Sequence, residues 1–323
     1  MSSYAGRRVL VIGGLGFIGS NLVARLAGLD ARVTAVTPNR RRHDGLASEL
    51  ELAGVAVFEA DIRDAGAMRI AVVAQDIIFN VSGQSGAVRS MEDPWTDLDV
   101  NLRGTLVLLE ALREANPTAR LVCAGSRLQY GRVAQLPVAE DAAAVPMCLH
   151  AVHKSTIEAY LGVYGRLFGL RGTMVRITNP YGPGQPASTT AYGVINQMIH
   201  RALAGGTLTI YGDGTQLRDY LYVDDLVDAL LRIGEADGAD GVTYNIGSGR
   251  GTSLVDLARL IIELSGDGRI AHVEWPDLAS RIETGDFVAD VSRLDADLQW
   301  KPTVALADGL ARTIAFYRAR VST

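Results

Sequence analysis

The chain has 323 residues, of which 48% are hydrophobic and 21% charged, and its formal net charge is −5. This balance predicts a soluble globular protein of about two domains and excludes a disordered or collagen-like chain. The acidic charge gives no basic surface for nucleic acid, so we expect no nucleic-acid partner. Only two of the 31 basic residues are lysines, Lys154 and Lys301, which draws attention to both positions.

The two cysteines, Cys123 and Cys148, are too few for a disulfide framework or a cysteine-rich metal site, and we predict no metal. The N-terminus carries no secretory signal pattern. No uncharged apolar run reaches the ~18 residues of a membrane span. The sequence therefore predicts a cytoplasmic protein that does not associate with membranes.

The predicted elements alternate between short apolar strands and helices. Continuous β-branched runs such as Val9-Leu10-Val11-Ile12 are typical of strands buried on both faces of a parallel sheet. Strands are expected at residues 9–12, 32–36, 55–58, 76–80, 121–124 and 173–177, with intervening helices that include residues 21–27, 104–114 and 155–168. This alternation predicts an α/β fold with a Rossmann-type, doubly wound parallel sheet.

The composition changes after residue 179, where residues 180–186 are rich in glycine and proline and predict a loop that leaves the sheet. Helices are expected beyond it at residues 193–204 and 254–264. We therefore predict a Rossmann domain at residues 1–179, to which segments of about residues 215–250 return. Residues 180–323 would mainly form a smaller, mixed α/β lobe that binds substrate.

A glycine-rich turn, Gly13-Gly14-Leu15-Gly16-Phe17-Ile18-Gly19, directly follows the first predicted strand and opens a helix. Its first, fourth and seventh positions are glycines, which permit a tight turn, close approach of the backbone to a pyrophosphate and close helix packing. The helix N-terminus supplies N–H groups and a positive dipole. We expect a dinucleotide to bind at Gly13, Gly16, Phe17, Ile18 and Gly19; a purely structural turn is the alternative.

The end of the second predicted strand bears on the choice between NAD and NADP. Thr37, Asn39 and Arg40 lie there, with two further arginines and no acid to accept from a ribose 2′-hydroxyl. We expect these three residues to bind the cofactor and favour NADP, because arginine can pair with a 2′-phosphate. The alternative is a solvated surface loop. Asp61 and Ile62, after the third strand, are expected to contact adenine.

Several further motifs follow in order. They are Asp-Val-Asn-Leu-Arg-Gly-Thr at 99–105, Arg-Ile-Thr-Asn-Pro-Tyr-Gly-Pro-Gly at 176–184, Ile-Tyr-Gly-Asp-Gly at 210–214, Tyr-Asn-Ile-Gly-Ser-Gly at 244–249 and Trp-Lys-Pro at 300–302. With the glycine turn they resemble, nearly end to end, the extended short-chain dehydrogenase/reductase family, in particular its NAD-dependent sugar-nucleotide epimerases and dehydratases. The resemblance implies a bound NAD or NADP, a nucleotide-sugar substrate, and a homodimer formed through helices near residues 101–114 and 155–168.

Members of this family use a Ser or Thr together with a Tyr-x-x-x-Lys pair. The resemblance assigns these roles to Ser126 and Lys154, but His150 stands at the tyrosine position. Imidazole titrates near neutrality and can serve as the base, and a neighbouring lysine would keep it neutral. His153 and Lys154 can share one helical face with His150.

Two alternatives for this site stay open. His150 could fill the space of a lost tyrosine in a non-catalytic, dinucleotide-binding relic. Another group, such as Cys148 or Tyr130, could act instead. The resembled 4,6-dehydratases carry Asp-Glu directly after the hydroxyl residue, whereas this chain has Arg127-Leu128, so we do not expect a 4,6-dehydratase.

The substrate side is also implied by the resemblance. Asn179 would be a substrate-side amide, and Arg218 would bind a diphosphate, for which a planar guanidinium is suited; an ion pair with Asp219 is the alternative for Arg218. Arg281 is a second diphosphate candidate, although its spacing to Gly285-Asp286 departs from the family pattern.

The run of small residues that begins at Val81, Ser82 and Gly83 would leave room for the nicotinamide ribose, and Gln84 and Ser85 could contact the sugar. We expect an epimerase that works by hydride transfer. The alternatives are an NADP-dependent ketoreductase acting on a nucleotide keto-sugar, and the non-catalytic relic. The sequence leaves the nucleotide, the sugar and the reacting carbon open.

Overall fold

The computed structural model describes residues 3–185 and 193–321. Its strands are β1 (Arg8–Ile12), β2 (Arg32–Thr37), β3 (Ala56–Glu59), β4 (Ile77–Asn80), β5 (Arg120–Ala124), β6 (Arg171–Ile177), β7 (Asn179–Tyr181), β8 (Thr207–Tyr211), β9 (Leu217–Tyr222), β10 (Thr243–Ile246), β11 (Gly251–Ser253) and β12 (Arg269–Val273).

The α-helices are α1 (Phe17–Ala27), α2 (Asp44–Leu52), α3 (Ala65–Ala71), α4 (Ala87–Glu92), α5 (Pro94–Asp97), α6 (Gly104–Ala115), α7 (Leu149–Phe168), α8 (Val194–Leu203), α9 (Val223–Glu235), α10 (Leu254–Ser265), α11 (Asp277–Arg281), α12 (Ser292–Leu298) and α13 (Leu306–Val321). Short 3₁₀ turns cover Arg40–His43 and Arg127–Tyr130. A π-helical segment, Leu98–Arg103, joins α5 to α6.

The central sheet has seven parallel strands in the order β10-β6-β5-β4-β1-β2-β3. The chain runs outward from β1 in both directions, so the strand order reverses between β1 and β4. In open α/β sheets, ligands bind beyond the carboxyl ends of the strands at such a reversal. The predicted α/β Rossmann-type fold is confirmed, and the glycine turn after β1 lies at this point.

Apolar side chains fill both faces of the sheet. Strand β4 is buried at every position, as expected of a strand covered on both sides. One core includes Val9, Val11 and Phe79 with residues of α1 and α9, and the fully buried Trp300 joins it from far along the chain. The opposite core includes Leu10, Ile78 and residues of α3, α6 and α7.

The second half of the chain builds two smaller sheets, β11-β9-β7 and β12-β8. Helices α8, α10 and α13 pack with β8 and β9 around a third apolar core. Within the predicted returning segment, α9 packs on α1 and β10 pairs with β6. The boundary at residue 179 stays a prediction, and Pro186 of the predicted loop lies outside the described residues. In the described part of the chain, no helix is long and apolar enough to cross a membrane.

Candidate active site

A cavity of about 940 Å³ opens at the carboxyl ends of the central strands. Its volume suits a dinucleotide together with part of a substrate. Most of the residues predicted for the site line its wall. They are Gly13, Gly16, Phe17, Ile18, Gly19, Thr37, Asn39, Asp61, Ile62, Val81, Ser82, Gly83, Ser85, Ser126, His150, Lys154 and Asn179.

The glycine turn between β1 and α1 fits a pyrophosphate because side chains are excluded from it. Gly13 has a φ of +83°, in the left-handed region that favours glycine. A Cβ on Gly19 would lie 2.0 Å from the Gly13 carbonyl oxygen, and a Cβ on Gly13 would lie 2.8 Å from Ser82 Cα. The turn therefore brings backbone N–H groups of the α1 N-terminus to the cavity without side-chain obstruction.

The end of β2 offers fewer cations for binding a 2′-phosphate than its sequence predicts. Arg40 forms a two-pronged ion pair with Glu51, at 2.7 and 2.8 Å, and does not line the cavity. Arg42 does line it, and Asn39 Oδ1 accepts from the Arg42 backbone N–H at 3.2 Å. Thr37 is buried at the cavity wall.

Helix α7 brings the predicted catalytic residues to the cavity. It begins at Leu149, earlier than predicted, so His150 and Lys154 lie one turn apart in the same helix. Lys154 Nζ donates to the Ala124 carbonyl at the end of β5 (2.7 Å). Burial lowers the pKa of Lys154. A Cβ on Gly83 would come within 3.6 Å of Lys154 Nζ, so glycine there keeps space open beside the ammonium.

Asp97, at the end of α5, is a carboxylate that the sequence analysis missed. It is 0% exposed and lies between the two histidines of α7. Its Oδ1 is 2.6 Å from His153 Nδ1, and its Oδ2 is 3.6 Å from His150 Nδ1. Within the described residues, neither Asp97 Oδ2 nor His150 Nδ1 has a hydrogen-bond partner. A shift of a few tenths of an ångström would therefore let His150 donate to Asp97.

Burial favours a neutral His150. Burial lowers the pKa of His150, and this outweighs the nearby Asp97 carboxylate, which raises it. Burial also raises the pKa of Asp97, but the hydrogen bonds with His150 and His153 lower it by more. The net shift of the Asp97 pKa is therefore downward, and the carboxylate stays ionised. With Nδ1 protonated toward Asp97, the Nε2 lone pair of His150 is the basic atom.

Ser126 lies between β5 and the 3₁₀ turn that follows it. Its Oγ accepts from the Leu128 N–H (3.2 Å), while the Ser126 N–H donates to Gln129 Oε1 (2.9 Å). This reciprocal cap fixes the side chain at the cavity wall. The hydroxyl keeps its own proton for a hydrogen bond to a ligand.

Three predicted substrate residues lie outside the cavity wall. Arg218 is held by Glu283 and by the Gly285 carbonyl (2.6 Å) rather than by Asp219. Arg281 is exposed and pairs with Asp277 (3.2 Å). The Gln84 backbone carbonyl accepts from Asn101 Nδ2 (3.0 Å).

The cavity wall also includes residues that were not predicted as ligands. Arg127 donates from Nε to Asn179 Oδ1 (3.3 Å). Tyr211 and Trp275 contribute aromatic rings whose centroids are 5.3 Å apart. The sequence signals were the arginine after Ser126 and the tyrosine of the Ile-Tyr-Gly-Asp-Gly motif; nothing marked Trp275.

The two alternative groups at the site are turned away from the cavity. Tyr130 is 0% exposed and its hydroxyl donates to Asn245 Oδ1 (2.6 Å). Burial raises the pKa of Tyr130 and that of the Cys148 thiol. Neither side chain lines the cavity. The geometry thus favours His150 over both of them.

Comparison with known proteins defines the family. The model of the NAD-dependent epimerase/dehydratase family matches residues 9–247. UDP-glucose 4-epimerase of Mycolicibacterium smegmatis is 34% identical over 318 residues, which cover 96% of this chain and 98% of that protein. The chain belongs to the NAD-dependent epimerase/dehydratase family.

Solved structures agree with this assignment. UDP-glucose 4-epimerase of Thermotoga maritima with UDP-glucose gives a TM-score of 0.88 at 29% identity, covering 97% of this chain and 99% of that one. UDP-glucose 4-epimerase of Thermus thermophilus in complex with NAD gives 0.84 at 30% identity, covering 96% and 99%.

Proposed function

We propose that this protein is a sugar-nucleotide epimerase that works by reversible hydride transfer, with His150 as its acid–base group. The observation that carries the proposal is the arrangement of a single buried cluster. His150 lines the cavity beside Lys154 and Ser126, and Asp97 lies behind its Nδ1. An orienting carboxylate behind a histidine is the arrangement that prepares imidazole to take and return a proton.

Each side chain of the cluster has a separate role in the proposed reaction. His150 Nε2 takes the proton of the reacting sugar hydroxyl, and Asp97 stabilises the imidazolium that forms. Ser126 donates a hydrogen bond to the same oxygen. Lys154 places a compact positive charge beside the cofactor ribose. The nicotinamide ring, when bound, supplies the hydride acceptor and later the hydride donor. His150 then returns its proton to the substrate oxygen.

For the cofactor we propose NAD in preference to NADP. Arg40, on which the expectation of NADP partly rested, is engaged by Glu51. The related Thermus thermophilus enzyme was solved with NAD. Among residues 40–42, only Arg42 lines the cavity, where it could bind a 2′-phosphate. Turnover is therefore to be measured with both NAD and NADP.

Two further features complete the proposal. Arg127 and Leu128 follow Ser126 and supply no carboxyl group for eliminating water, so we propose that the reaction is not a 4,6-dehydration. We also propose a homodimer through α6 and α7. Val163 and Leu167 of α7 are 37% and 69% exposed and present an apolar surface there.

The test is turnover on a panel of UDP-, dTDP-, GDP- and CDP-sugars with NAD or NADP, followed by product mass, nuclear magnetic resonance and absorbance of reduced nicotinamide. We expect an epimer of unchanged mass without net reduction of the cofactor. His150→Phe should lower kcat by about 10²–10⁴-fold while NAD binding persists.

His272→Phe is the matched control, because His272 is exposed and lies outside the cavity wall. Unchanged turnover of the His150→Phe protein would contradict the acid–base role. Cofactor binding without turnover on the whole panel would favour the non-catalytic relic. Consumption of one reduced cofactor per product would identify a ketoreductase.

A further inference from the structure

Arg127 is a cation on the cavity wall whose partners are neutral. Its Nε donates to Asn179 Oδ1 (3.3 Å), and its Nη1 donates to Thr284 Oγ1 (3.0 Å). The guanidinium lies 5.6 Å from the centroid of the Phe287 ring. Among residues 3–185 and 193–321, no carboxylate forms an ion pair with it, and its Nη2 has no hydrogen-bond acceptor.

The charged groups near Arg127 are already engaged with other partners. Glu283 pairs with Arg218. Asp219 accepts from the backbone N–H groups of Ser248 (2.6 Å), Gly249 (3.0 Å) and Ala289 (3.1 Å).

Burial, reinforced by the neighbouring Arg218, lowers the pKa of Arg127 to about 10, which still leaves it charged at neutral pH. A guanidinium held in a protein wall without a counter-charge is costly. An anionic group of the ligand would supply that counter-charge.

The position of Arg127 indicates which part of the ligand carries the anion. Arg127 directly follows Ser126, and consecutive Cα atoms are only about 3.8 Å apart. Ser126, His150 and Arg127 all line the same cavity. The guanidinium donates to Asn179 and Thr284 on the wall of that same cavity, so it belongs to the same ligand site as the acid–base group, and its planar fork suits a carboxylate.

We propose that Arg127 binds a carboxylate carried by the sugar, so that the substrate class is a nucleotide uronate in place of a neutral hexose. This inference rests on the proposed function for the nature of the ligand, a nucleotide sugar. The diphosphate is the other anion of such a ligand, and the experiment separates the two sources.

The experiment measures binding to the NAD-loaded protein by calorimetry, with matched pairs of ligands. UDP-glucuronate and UDP-glucose have the same nucleoside, diphosphate and sugar ring, but the first carries a carboxylate where the second carries a hydroxymethyl group. The corresponding dTDP-uronate and dTDP-hexose repeat the comparison. We expect the uronate to bind about tenfold to a hundredfold more tightly, since hydrogen bonds to charged groups contribute on that scale. Arg127→Met should remove this preference and leave the affinity for the neutral sugar within about threefold.

Arg250→Met, at an exposed arginine outside the cavity wall, is the matched control and should keep the preference. No preference for the uronate in either pair would overturn the proposal. Equal weakening of uronate and neutral sugar by Arg127→Met would also overturn it, because Arg127 would then be a diphosphate ligand. Binding needs no turnover, so uronate preference in a protein that epimerises nothing would contradict the proposed function alone.

Discussion

At the scale of single residues, Asp97 offers the sharpest test of the acid–base site. Asp97→Asn keeps the shape of the side chain but removes the charge behind His150. The imidazolium formed during the reaction would lose its counter-ion, so we expect kcat to fall by about 10²-fold or more with little change in KM. Steady-state kinetics on the epimerisation substrate measure both.

The pH profile separates this role from a purely structural one. The pKa of His150 lies below its ordinary value of 6.5, so turnover of the native protein should fall only as pH drops below 6.5. The Asp97 carboxylate raises that pKa, so Asp97→Asn should move the acidic limb to still lower pH. Asp93→Asn, which can still cap α5, is the control. A limb that stays in place would contradict the assignment.

Residues near one another in sequence could be predicted, and partners distant in sequence could not. The glycine turn and the His150–Lys154 pair each lie within one short segment, so spacing alone brings their members together. Asp97 meets α7 only because the helical segment before α6 packs on α7. Likewise the ion pair between Arg218 and Glu283 joins residues 65 positions apart in sequence, and the role of Arg218 as a diphosphate ligand stays a prediction.

At the scale of elements, the turn between β1 and α1 tolerates no side chain at its last glycine. In Gly19→Ala, the new Cβ would lie 2.0 Å from the Gly13 carbonyl oxygen, so the turn has to shift. We expect NAD affinity to fall at least tenfold, because the N–H groups that approach the pyrophosphate move with it. Fluorescence titration with NAD measures the change.

The control is Gly45→Ala in α2, where a Cβ would meet nothing within 4 Å. Gly45 lies in the first turn of α2, so alanine there should raise the free energy of unfolding by at most roughly 0.5–1 kcal/mol, without changing NAD affinity. Native NAD affinity in the Gly19→Ala protein would remove the turn from the cofactor site.

The strands were predictable because buried β-branched runs are distinctive, and the start of α7 was not. Strand β1 spans Arg8–Ile12 against a prediction of residues 9–12. Helix α7 starts six residues before the predicted residue 155. Its N-cap is Cys148, whose side chain makes no capping hydrogen bond, so the usual Ser, Thr, Asp or Asn signal is missing. The π-helical segment before α6 also has no periodicity that a sequence pattern reveals.

At the scale of the whole molecule, the proposed dimer predicts that a charged substitution on the exposed face of α7 prevents dimerisation. Val152, Val163 and Leu167 are exposed and lie along one face of this helix. Val163→Arg should convert the dimer to a monomer, because an unpaired charge would be buried at the interface. Sedimentation velocity measures the mass. Leu52→Arg, at a residue of α2 that is 90% exposed, should remain dimeric. A monomeric native protein would contradict the proposal.

Trp300 ties the end of the chain to its beginning. The indole is fully buried in the same core as Val9 and Val11, although almost 300 residues separate them in sequence. Strand β10 forms one edge of the sheet, and several intervening elements separate it in sequence from its partner β6. During synthesis, the first half of the chain therefore leaves the ribosome with an uncovered sheet face and an open sheet edge. Such long-range closure slows folding, and exposed edges favour association with other chains, so the nascent protein is most vulnerable to aggregation until Trp300 has emerged.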